Sequence, residues 1–273
     1  MRLHRSGSIQ HLLPSLVVTA VLSLLLPISS HATVFWDDEL ESGNTGYNFS
    51  SLTGIFVFDT SVKFSGTGSI RLDYPPVCEP RTAGGSGCGG YTDRVFTPTS
   101  TMYRRVYFRM SSGFATSMDT FTKMFRSDTS GPNSNWWTMG QGNGYVGGKT
   151  FNVGVQNSPT IGQTKVYWSS IMFSDAQWYC IETMEQLNTP GVANGIVRAW
   201  VDGVQVMNAT DVIYRQAGDN SLFQNHRLFR QTGVGSIWYD HVAVGDTRIG
   251  CSGSSTTTGD TTPPASPTGL VVR

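Results

Sequence analysis

The sequence predicts an all-β fold built from two packed antiparallel sheets. Between residues 34 and 250, short runs rich in β-branched and aromatic residues alternate with clusters of Gly, Ser, Asn and Pro. No helical pattern of three turns interrupts these runs. Charged residues make up only 14% of the chain, against roughly 25% in typical soluble domains. Two sheets are required, because a single open sheet with this many strands would leave an apolar face in water.

The predicted strands are short and separated by turn residues. Asp202-Gly203 lies between two apolar runs and predicts a tight hairpin. The full set of expected strands is 34–40, 54–59, 68–74, 103–110, 120–126, 150–156, 165–173, 177–188, 195–207, 226–231 and 236–245.

The first 32 residues are typical of a secretory signal peptide. Arg2 and Arg5 supply the positive start, residues 12–28 the apolar run, and Ser30-His31-Ala32 the small-x-small cleavage site. Two prolines interrupt the apolar run, which argues against a membrane anchor. We therefore expect a secreted or periplasmic protein that has no membrane contact after signal removal.

The net charge of the chain argues against nucleic acid and anionic membranes as partners. Without the two signal-peptide arginines, the 19 basic residues become 17 against 19 acidic ones. A nearly neutral chain has no electrostatic footprint for nucleic acid or an anionic membrane.

The composition of the chain changes after residue 251. Residues 252–262 are a Ser/Thr/Pro linker, which leaves 33–251 as the folded domain. Residues 263–273 resemble the start of a fibronectin type III-like module, so a further module is expected to follow.

Four cysteines in an exported chain predict two disulfides. Of the three connectivities, we favour Cys78–Cys88, which closes a Gly-rich loop, and Cys180–Cys251, which ties the end of the domain to a core strand. A zinc site is disfavoured because no CxxC pair or neighbouring histidine is present.

Five segments together resemble the concanavalin A-like lectin/glucanase jelly rolls, a group that includes secreted polysaccharide lyases. They are 35–43, 65–72, 178–191, 195–203 and 239–250. The resemblance implies a two-sheet antiparallel jelly-roll sandwich. It does not imply one activity, because this fold carries lectins, hydrolases and lyases.

The catalytic motif of the hydrolases of this fold is absent from the sequence. The hydrolases of this fold carry Glu-x-Asp-x-x-Glu, whereas Glu182-Thr-Met-Glu185 has no intervening Asp. Residues three apart on a strand point to opposite faces, so these glutamates cannot flank one glycosidic bond. We expect one of them to face a groove and the other to be exposed. A glycoside hydrolase is therefore disfavoured.

Strand alternation indicates the candidate groove. Val106, Phe108 and Met110 share one predicted face of their strand, which places polar partners on the other. Guanidiniums bind carboxylates in bidentate fashion, and aromatic rings stack on pyranose faces. The pattern therefore indicates binding of an acidic polysaccharide, although an ordinary solvated sheet face has the same composition. The candidate binding residues are Arg105, Tyr107, Arg109, Asn152, Gln156, Arg198 and Trp200, with Trp136-Trp137 expected in a loop, either over the groove or against the edge of the sandwich.

β-Elimination of a uronic acid needs a carboxylate binder, a base for the C5 proton and an acid for the leaving oxygen. His226 and Tyr107 are the candidate proton handlers, while His241 is expected to be structural. The first hypothesis is thus a secreted lyase of an acidic glycan. A non-catalytic carbohydrate-binding module of a larger exported protein is the alternative, and an adhesion or surface-layer domain is a third.

A structural calcium is the only cofactor expected, since no nucleotide loop, zinc motif or Gly-x-Ser-x-Gly elbow occurs. The jelly-roll resemblance implies a calcium that joins the first and last strands, at positions matching Glu41 and Asp240 with carbonyls near Gly43 or Gly66. Alternatively, Asp240 caps a turn or pairs with an arginine. The sequence does not indicate an oligomeric state.

Overall fold

The computed structural model describes residues 33–41, 56–75, 89–116, 122–140, 148–156 and 165–251. Within these ranges the chain forms fourteen strands and no helix. No helix of the described residues is long and apolar enough to cross a membrane. The predicted signal peptide, linker and following module lie outside these ranges, as do Gly43, Cys78 and Cys88.

The larger sheet has eight antiparallel strands, and β5 and β14 lie at its centre. β1 (Val34–Asp38) joins it by pairing with β14. The other strands, in spatial order, are β12 (Val204–Val212), β11 (Gly195–Val201), β10 (Trp178–Gln186), β5 (Thr101–Met110), β14 (Gly235–Gly245), β3 (Ser69–Tyr74) and β2 (Phe56–Asp59).

The smaller sheet has six antiparallel strands and carries the site described below. In spatial order they are β4 (Gly90–Thr99), β13 (Phe223–Arg230), β6 (Thr122–Thr129), β7 (Ser134–Gly140), β8 (Thr150–Gln156) and β9 (Lys165–Met172).

The two sheets pack face to face around one apolar core. Val106, Phe108 and Met110 on β5 are fully buried there, as strand alternation predicts. From the opposite sheet, Phe125 is also fully buried, and each such side chain contributes about 1.5–3 kcal/mol of burial free energy. The predicted two-sheet antiparallel sandwich is confirmed.

The predicted hairpin at Asp202-Gly203 is also confirmed. The turn joins β11 to β12, and its two residues have φ of 49° and 81°. Two positive φ values in succession define the type I′ turn, which the Asp-Gly pair favours.

Two strands, β4 and β7, were not predicted. Trp136-Trp137 lies in β7, so the expectation that it forms a loop is wrong. Alternation is hidden in β7 because Asn135, a polar residue, faces the core. In β4 the inward residue Arg94 has the same effect; it is paired with Asp38 at 2.8 Å and lies 4.4 Å from the ring centroid of Trp36.

Candidate functional site

The outer face of the six-stranded sheet concentrates cationic and aromatic side chains on its central strands. In β6, Phe125 and Ser127 face the core, so Arg126 points outward. The register places Arg126 directly opposite Arg227 of β13 and, on its other side, opposite Trp136 of β7. We call the following set the arginine–aromatic face: Tyr91, Lys123, Arg126, Trp136, Arg227 and Phe229.

The cations of this face lie over its rings. Lys123 Nζ is 3.5 Å from the ring centroid of Trp136, and the Arg126 guanidinium is 4.3 Å from it. The Arg227 guanidinium lies 4.4 Å from the ring centroid of Tyr91. Phe229 connects the two rings, with centroid distances of 4.7 Å to Trp136 and 5.2 Å to Tyr91. Cation–π attraction thereby holds the cations in fixed positions along the face.

Two carboxylates lie among these cations. Asp128 forms ion pairs with both Arg126 and Arg227, the latter at 2.9 Å. Asp93 accepts a hydrogen bond from Asn225 and lies 3.9 Å from Arg227 Nε. Burial raises the pKa of Asp128 and lowers the pKa of Arg126. Because each guanidinium carries five N–H donors, one shared carboxylate leaves donors for a ligand carboxylate.

Asn152 and Gln156, both predicted binding residues, lie on this sheet. Gln156 Oε1 accepts hydrogen bonds from the Trp136 indole and from Ser134 Oγ, and Gln156 itself is exposed at the end of β8. Asn152 is 1% exposed and accepts a hydrogen bond from Thr138. Gln156 therefore supports the indole of the arginine–aromatic face directly, whereas Asn152 lies deeper.

The other predicted binding residues lie on the outer face of the eight-stranded sheet, so the single predicted groove is not formed. Strand alternation assigns the side of a strand, but it does not say which of two sheets the strand joins. The residues on this second outer face are Arg105, Tyr107, Arg109, Arg198 and Trp200.

These side chains are mostly covered by their own chain. Arg105 is 3% exposed and donates hydrogen bonds to both carboxylate oxygens of Asp37, at 2.8 and 3.0 Å. Tyr107 is 2% exposed, donates to the Cys251 carbonyl and stacks on Phe64 at 3.8 Å between centroids. Tyr107 therefore lies neither in an open cleft nor on the sheet that carries Asn152.

The segment 246–251 is fastened across this second face. The predicted Cys180–Cys251 disulfide is confirmed and fixes its end. Arg248 pairs with Glu182 at 3.1 Å and lies 4.6 Å from the ring centroid of Trp200. Trp200 is consequently only 8% exposed, so its ring is not open for the predicted stacking on a sugar.

His226 faces the core instead of a cleft. It is fully buried, with ring-centroid distances of 5.8 Å to Trp36 and 6.3 Å to Phe125. Burial lowers its pKa well below the usual value, and the nearby cationic Arg104 lowers it further, so the imidazole is neutral. Alternation explains this position, since His226 shares the inward side of β13 with Leu228. Arg227, which lies between these two inward residues, points outward.

The two glutamates of β10 point to opposite faces, as predicted, but both are buried. Glu182 is 1% exposed beneath Arg248, and Glu185 is fully buried in the core. The expectation of one groove-facing and one exposed glutamate is therefore wrong.

Glu41 and Asp240 approach the same turn between β2 and β3. Asp240 Oδ2 accepts hydrogen bonds from the backbone N–H of Phe64 at 2.8 Å and of Ser65 at 3.3 Å. Glu41 Oε2 accepts from Thr67. The second oxygens, Glu41 Oε1 and Asp240 Oδ1, are buried and have no hydrogen-bond partner among the described residues.

The negative charge at this turn is only partly compensated by the described residues, since the Phe64 and Ser65 N–H groups and His241 act against the rise in the pKa of Asp240. Burial raises the pKa of Asp240 to about 6, and the neighbouring Glu41 carboxylate adds to the rise. Two buried carboxylate oxygens without donors are suited to a hard cation. No cluster of three His, Cys, Asp or Glu side chains surrounds the turn in the described part of the chain, so carbonyls and water would have to supply the other ligands.

Comparison with known proteins identifies the architecture as a jelly roll of the kind found in polysaccharide lyases. The structure resembles an endo-β-1,4-glucuronan lyase from the fungus Trichoderma reesei, with a TM-score of 0.59, 16% identity, and coverage of 79% of this chain and 96% of that one. It also resembles a PL-14 alginate lyase from Aplysia kurodai, with a TM-score of 0.55, 11% identity, and coverage of 78% and 99%.

A third similar structure is described as a carbohydrate esterase from the Shiga toxin-encoding bacteriophage phi24B. Its TM-score is 0.51 at 11% identity, with coverage of 80% of this chain and all of that one (100%). At such identities the three likenesses establish the fold and leave the activity open.

One family is matched at the level of sequence. Residues 112–235 match the family described as Polysaccharide lyase 14. The matched segment contains β6, β7 and β13, and with them Lys123, Arg126, Trp136 and Arg227. No curated protein matches the chain.

Proposed function

We propose that this chain is a polysaccharide lyase that cleaves an acidic, uronic glycan by β-elimination on the arginine–aromatic face. The observation that carries the proposal is the placement of Arg126 and Arg227 opposite each other between the rings of Trp136 and Tyr91. The lyase family match over these strands supports it, as do the names of two similar structures, which describe lyases of glucuronan and alginate.

The arginines would bind the substrate carboxylate. Neutralising the charge of that group acidifies the C5 proton and stabilises the enolate-like intermediate of β-elimination. A planar guanidinium also fixes the orientation of the carboxylate, which places the C5 proton relative to the base. Trp136 and Tyr91 would stack on the sugar rings on either side.

We assign the proton transfers to Lys123 and Tyr91 in place of His226 and Tyr107. Lys123 and Tyr91 lie on the same outer face as both arginines, and Tyr91 is 41% exposed. An amine or a phenolate can accept the C5 proton, and a phenol or an ammonium can protonate the leaving oxygen. His226 is buried on the inner side of the sheet and cannot contact a substrate on the outer side.

The test is incubation of the purified domain with polyglucuronate and alginate, with a neutral glucan as control. β-Elimination leaves an unsaturated sugar that absorbs near ~235 nm. We expect absorbance to rise with an acidic polymer only, and Arg227→Ala to lower kcat/KM by at least about tenfold.

Arg198→Ala is the matched control for this experiment. Arg198 is a partly exposed arginine on the eight-stranded sheet that donates a hydrogen bond to Asn208 at 3.0 Å. Its removal should leave the rate unchanged. Equal losses of kcat/KM in Arg198→Ala and Arg227→Ala would show that the site does not lie on the arginine–aromatic face. Retention of the protein on an acidic polymer without any cleavage would favour the glycan-binding alternative instead.

We further propose a structural calcium between Glu41 and Asp240. It would supply charge compensation for the two unpartnered oxygens and join the chain near β1 to β14, without taking part in the reaction. Calcium should raise the melting temperature by several degrees relative to chelator, and Asp240→Asn should abolish that rise. A calcium effect that survives Asp240→Asn would place the ion elsewhere.

Export is the remaining proposal, carried by the pattern of residues 1–32. If it holds, expression with the native start should yield an extracellular or periplasmic protein whose first residue is close to Thr33. Amino-terminal sequencing decides this, because an uncleaved Met1 would contradict it.

A further inference from the structure

Glu185 is a fully buried carboxylate that the proposed reaction does not use. Its Oε1 accepts hydrogen bonds from the Trp137 indole at 2.6 Å and from Ser127 Oγ at 2.9 Å, and its Oε2 accepts from Asn135. Arg104, which is also buried, lies 3.6 Å from Oε1 and donates to Ser127. The carboxylate belongs to the eight-stranded sheet, whereas its three hydrogen-bond donors all belong to the six-stranded sheet.

Each donor is a chain neighbour of the arginine–aromatic face. Ser127 lies between Arg126 and Asp128, so its two neighbours are the arginine and the carboxylate of one ion pair. Asn135 and Trp137 lie on either side of Trp136. Successive side chains on a strand point to opposite faces, so a hydrogen bond that fixes the inner residue also fixes the direction of its outer neighbours.

From this arrangement we infer that Glu185 is a positioning residue for the arginine–aromatic face. One carboxylate fixes β6 and β7 from beneath and so sets the position of Arg126, Asp128 and Trp136 relative to one another. The inference deepens the proposed function and rests on it for the glycan measurement, but it also has a consequence that needs no glycan.

The chemistry of a buried charge makes Glu185 suited to this role. A carboxylate in the core is tolerated only when donors surround it in a defined geometry, and its hydrogen bonds are stronger than those of a neutral group. An amide has one accepting and one donating end. In Glu185→Gln, the N–H end of the amide faces either Asn135 or the pair Trp137 and Ser127. Either the Asn135 amide has to rotate or a hydrogen bond from Trp137 or Ser127 is lost, and every remaining bond loses its ionic character, so the fixation of β6 and β7 is weakened.

The first experiment measures the surroundings of Trp136 in the free protein. A near-UV circular dichroism difference spectrum between each background and its Trp136→Phe derivative isolates the signal of this indole. We expect Glu185→Gln to alter that difference spectrum. An unaltered spectrum would overturn the inference, whether or not the chain acts on a glycan.

Glu182→Gln is the matched control. Glu182 lies on the same strand, is equally buried and also pairs with an arginine, but it faces away from the six-stranded sheet. We expect it to leave the Trp136 spectrum and glycan affinity unchanged, whereas Glu185→Gln raises the Kd for an acidic polymer about tenfold. Equal effects of both variants would show only general destabilisation and would overturn the inference.

A second variant separates positioning from stability. Glu185→Gln removes the carboxylate that lies 3.6 Å from the buried Arg104, and Arg104→Met in the same chain removes the buried guanidinium as well. We expect the double variant to regain thermal stability while its Trp136 spectrum and affinity stay altered. If thermal stability, the Trp136 spectrum and the affinity for the polymer all recover together, Glu185 has only a structural role. Failure of the unmodified chain to bind any acidic polymer would refute the proposed function, and the spectra would still decide the inference.

Discussion

Removal of the Cys180–Cys251 disulfide should destabilise the domain by about 4.4 kcal/mol, mainly by freeing the unfolded chain. The two cysteines are 71 residues apart in sequence, and a cross-link over a loop of that length removes much of the conformational freedom of the unfolded state. The perturbation is the double substitution Cys180→Ala/Cys251→Ala, which leaves no unpaired thiol behind.

The assay is equilibrium urea unfolding at constant temperature, followed by tryptophan fluorescence. A separate thermal scan should show the same loss as a fall in melting temperature, which for a domain of this size is roughly 9–18 °C for about 4.4 kcal/mol. Fluorescence should also report local loosening, since the segment that the disulfide fixes carries Arg248 over the ring of Trp200.

A second double substitution, Cys78→Ala/Cys88→Ala, provides the comparison. The predicted Cys78–Cys88 bridge closes a much shorter loop, and the same relation gives about 2.7 kcal/mol. A loss below ~1 kcal/mol for the Cys180–Cys251 pair, or a larger loss for the shorter loop, would refute the loop-closure reasoning.

Three further predictions each concern a single residue. Asp128→Asn removes the carboxylate shared by Arg126 and Arg227, so the affinity of the protein for densely charged polyanions should rise several-fold. The measurement is the salt concentration that elutes the protein from a column carrying an anionic polymer. Elution at the same salt concentration as the unmodified protein would contradict the prediction. Burial acts to raise the pKa of Asp59, but donated hydrogen bonds outweigh it and lower the pKa to about 2. Its stabilisation is therefore complete above pH ~4 and is lost as the pH falls from about 4 to 2, so Asp59→Asn should flatten the acid limb of a stability–pH curve. Gly66→Ala should destabilise the domain by more than about 1 kcal/mol in thermal unfolding, because Gly66 has φ of +58° and an added Cβ would lie 1.5 Å from a carboxylate oxygen.

Strand alternation predicted most of the fold from the sequence. Val106, Phe108 and Met110 are inward, and the Asp202-Gly203 hairpin forms as expected. Alternation is a local property, however, and it cannot tell which sheet a strand joins. That choice depends on long-range pairing, so the sequence grouped Arg105 with Asn152 although they lie on different sheets.

Buried polar residues account for the rest of what the sequence analysis missed. Arg104, Glu185 and His226 occupy inward positions that a hydrophobic pattern assigns to solvent. Each of them interrupts the apolar alternation of its strand. In β13 the inward His226 weakens the apolar pattern, so Arg227 is identified as outward-facing only when His226 is counted with Leu228 on the inner side.

The two outer faces of the sandwich differ in how their cations are arranged, and this difference favours the six-stranded sheet as the site of the proposed function. On the eight-stranded sheet, Arg105 is held by Asp37 and Arg248 by Glu182, so those guanidiniums are already paired with carboxylates of the chain. The described strands of the six-stranded sheet instead place three cations on the arginine–aromatic face against the carboxylates of Asp93 and Asp128. An anionic polymer gains most where positive charge exceeds negative charge and the cations are already oriented by neighbouring rings. On the arginine–aromatic face, Arg126 and Arg227 share one carboxylate, that of Asp128, and are oriented by the rings of Trp136 and Tyr91, which is why we propose that the glycan binds there.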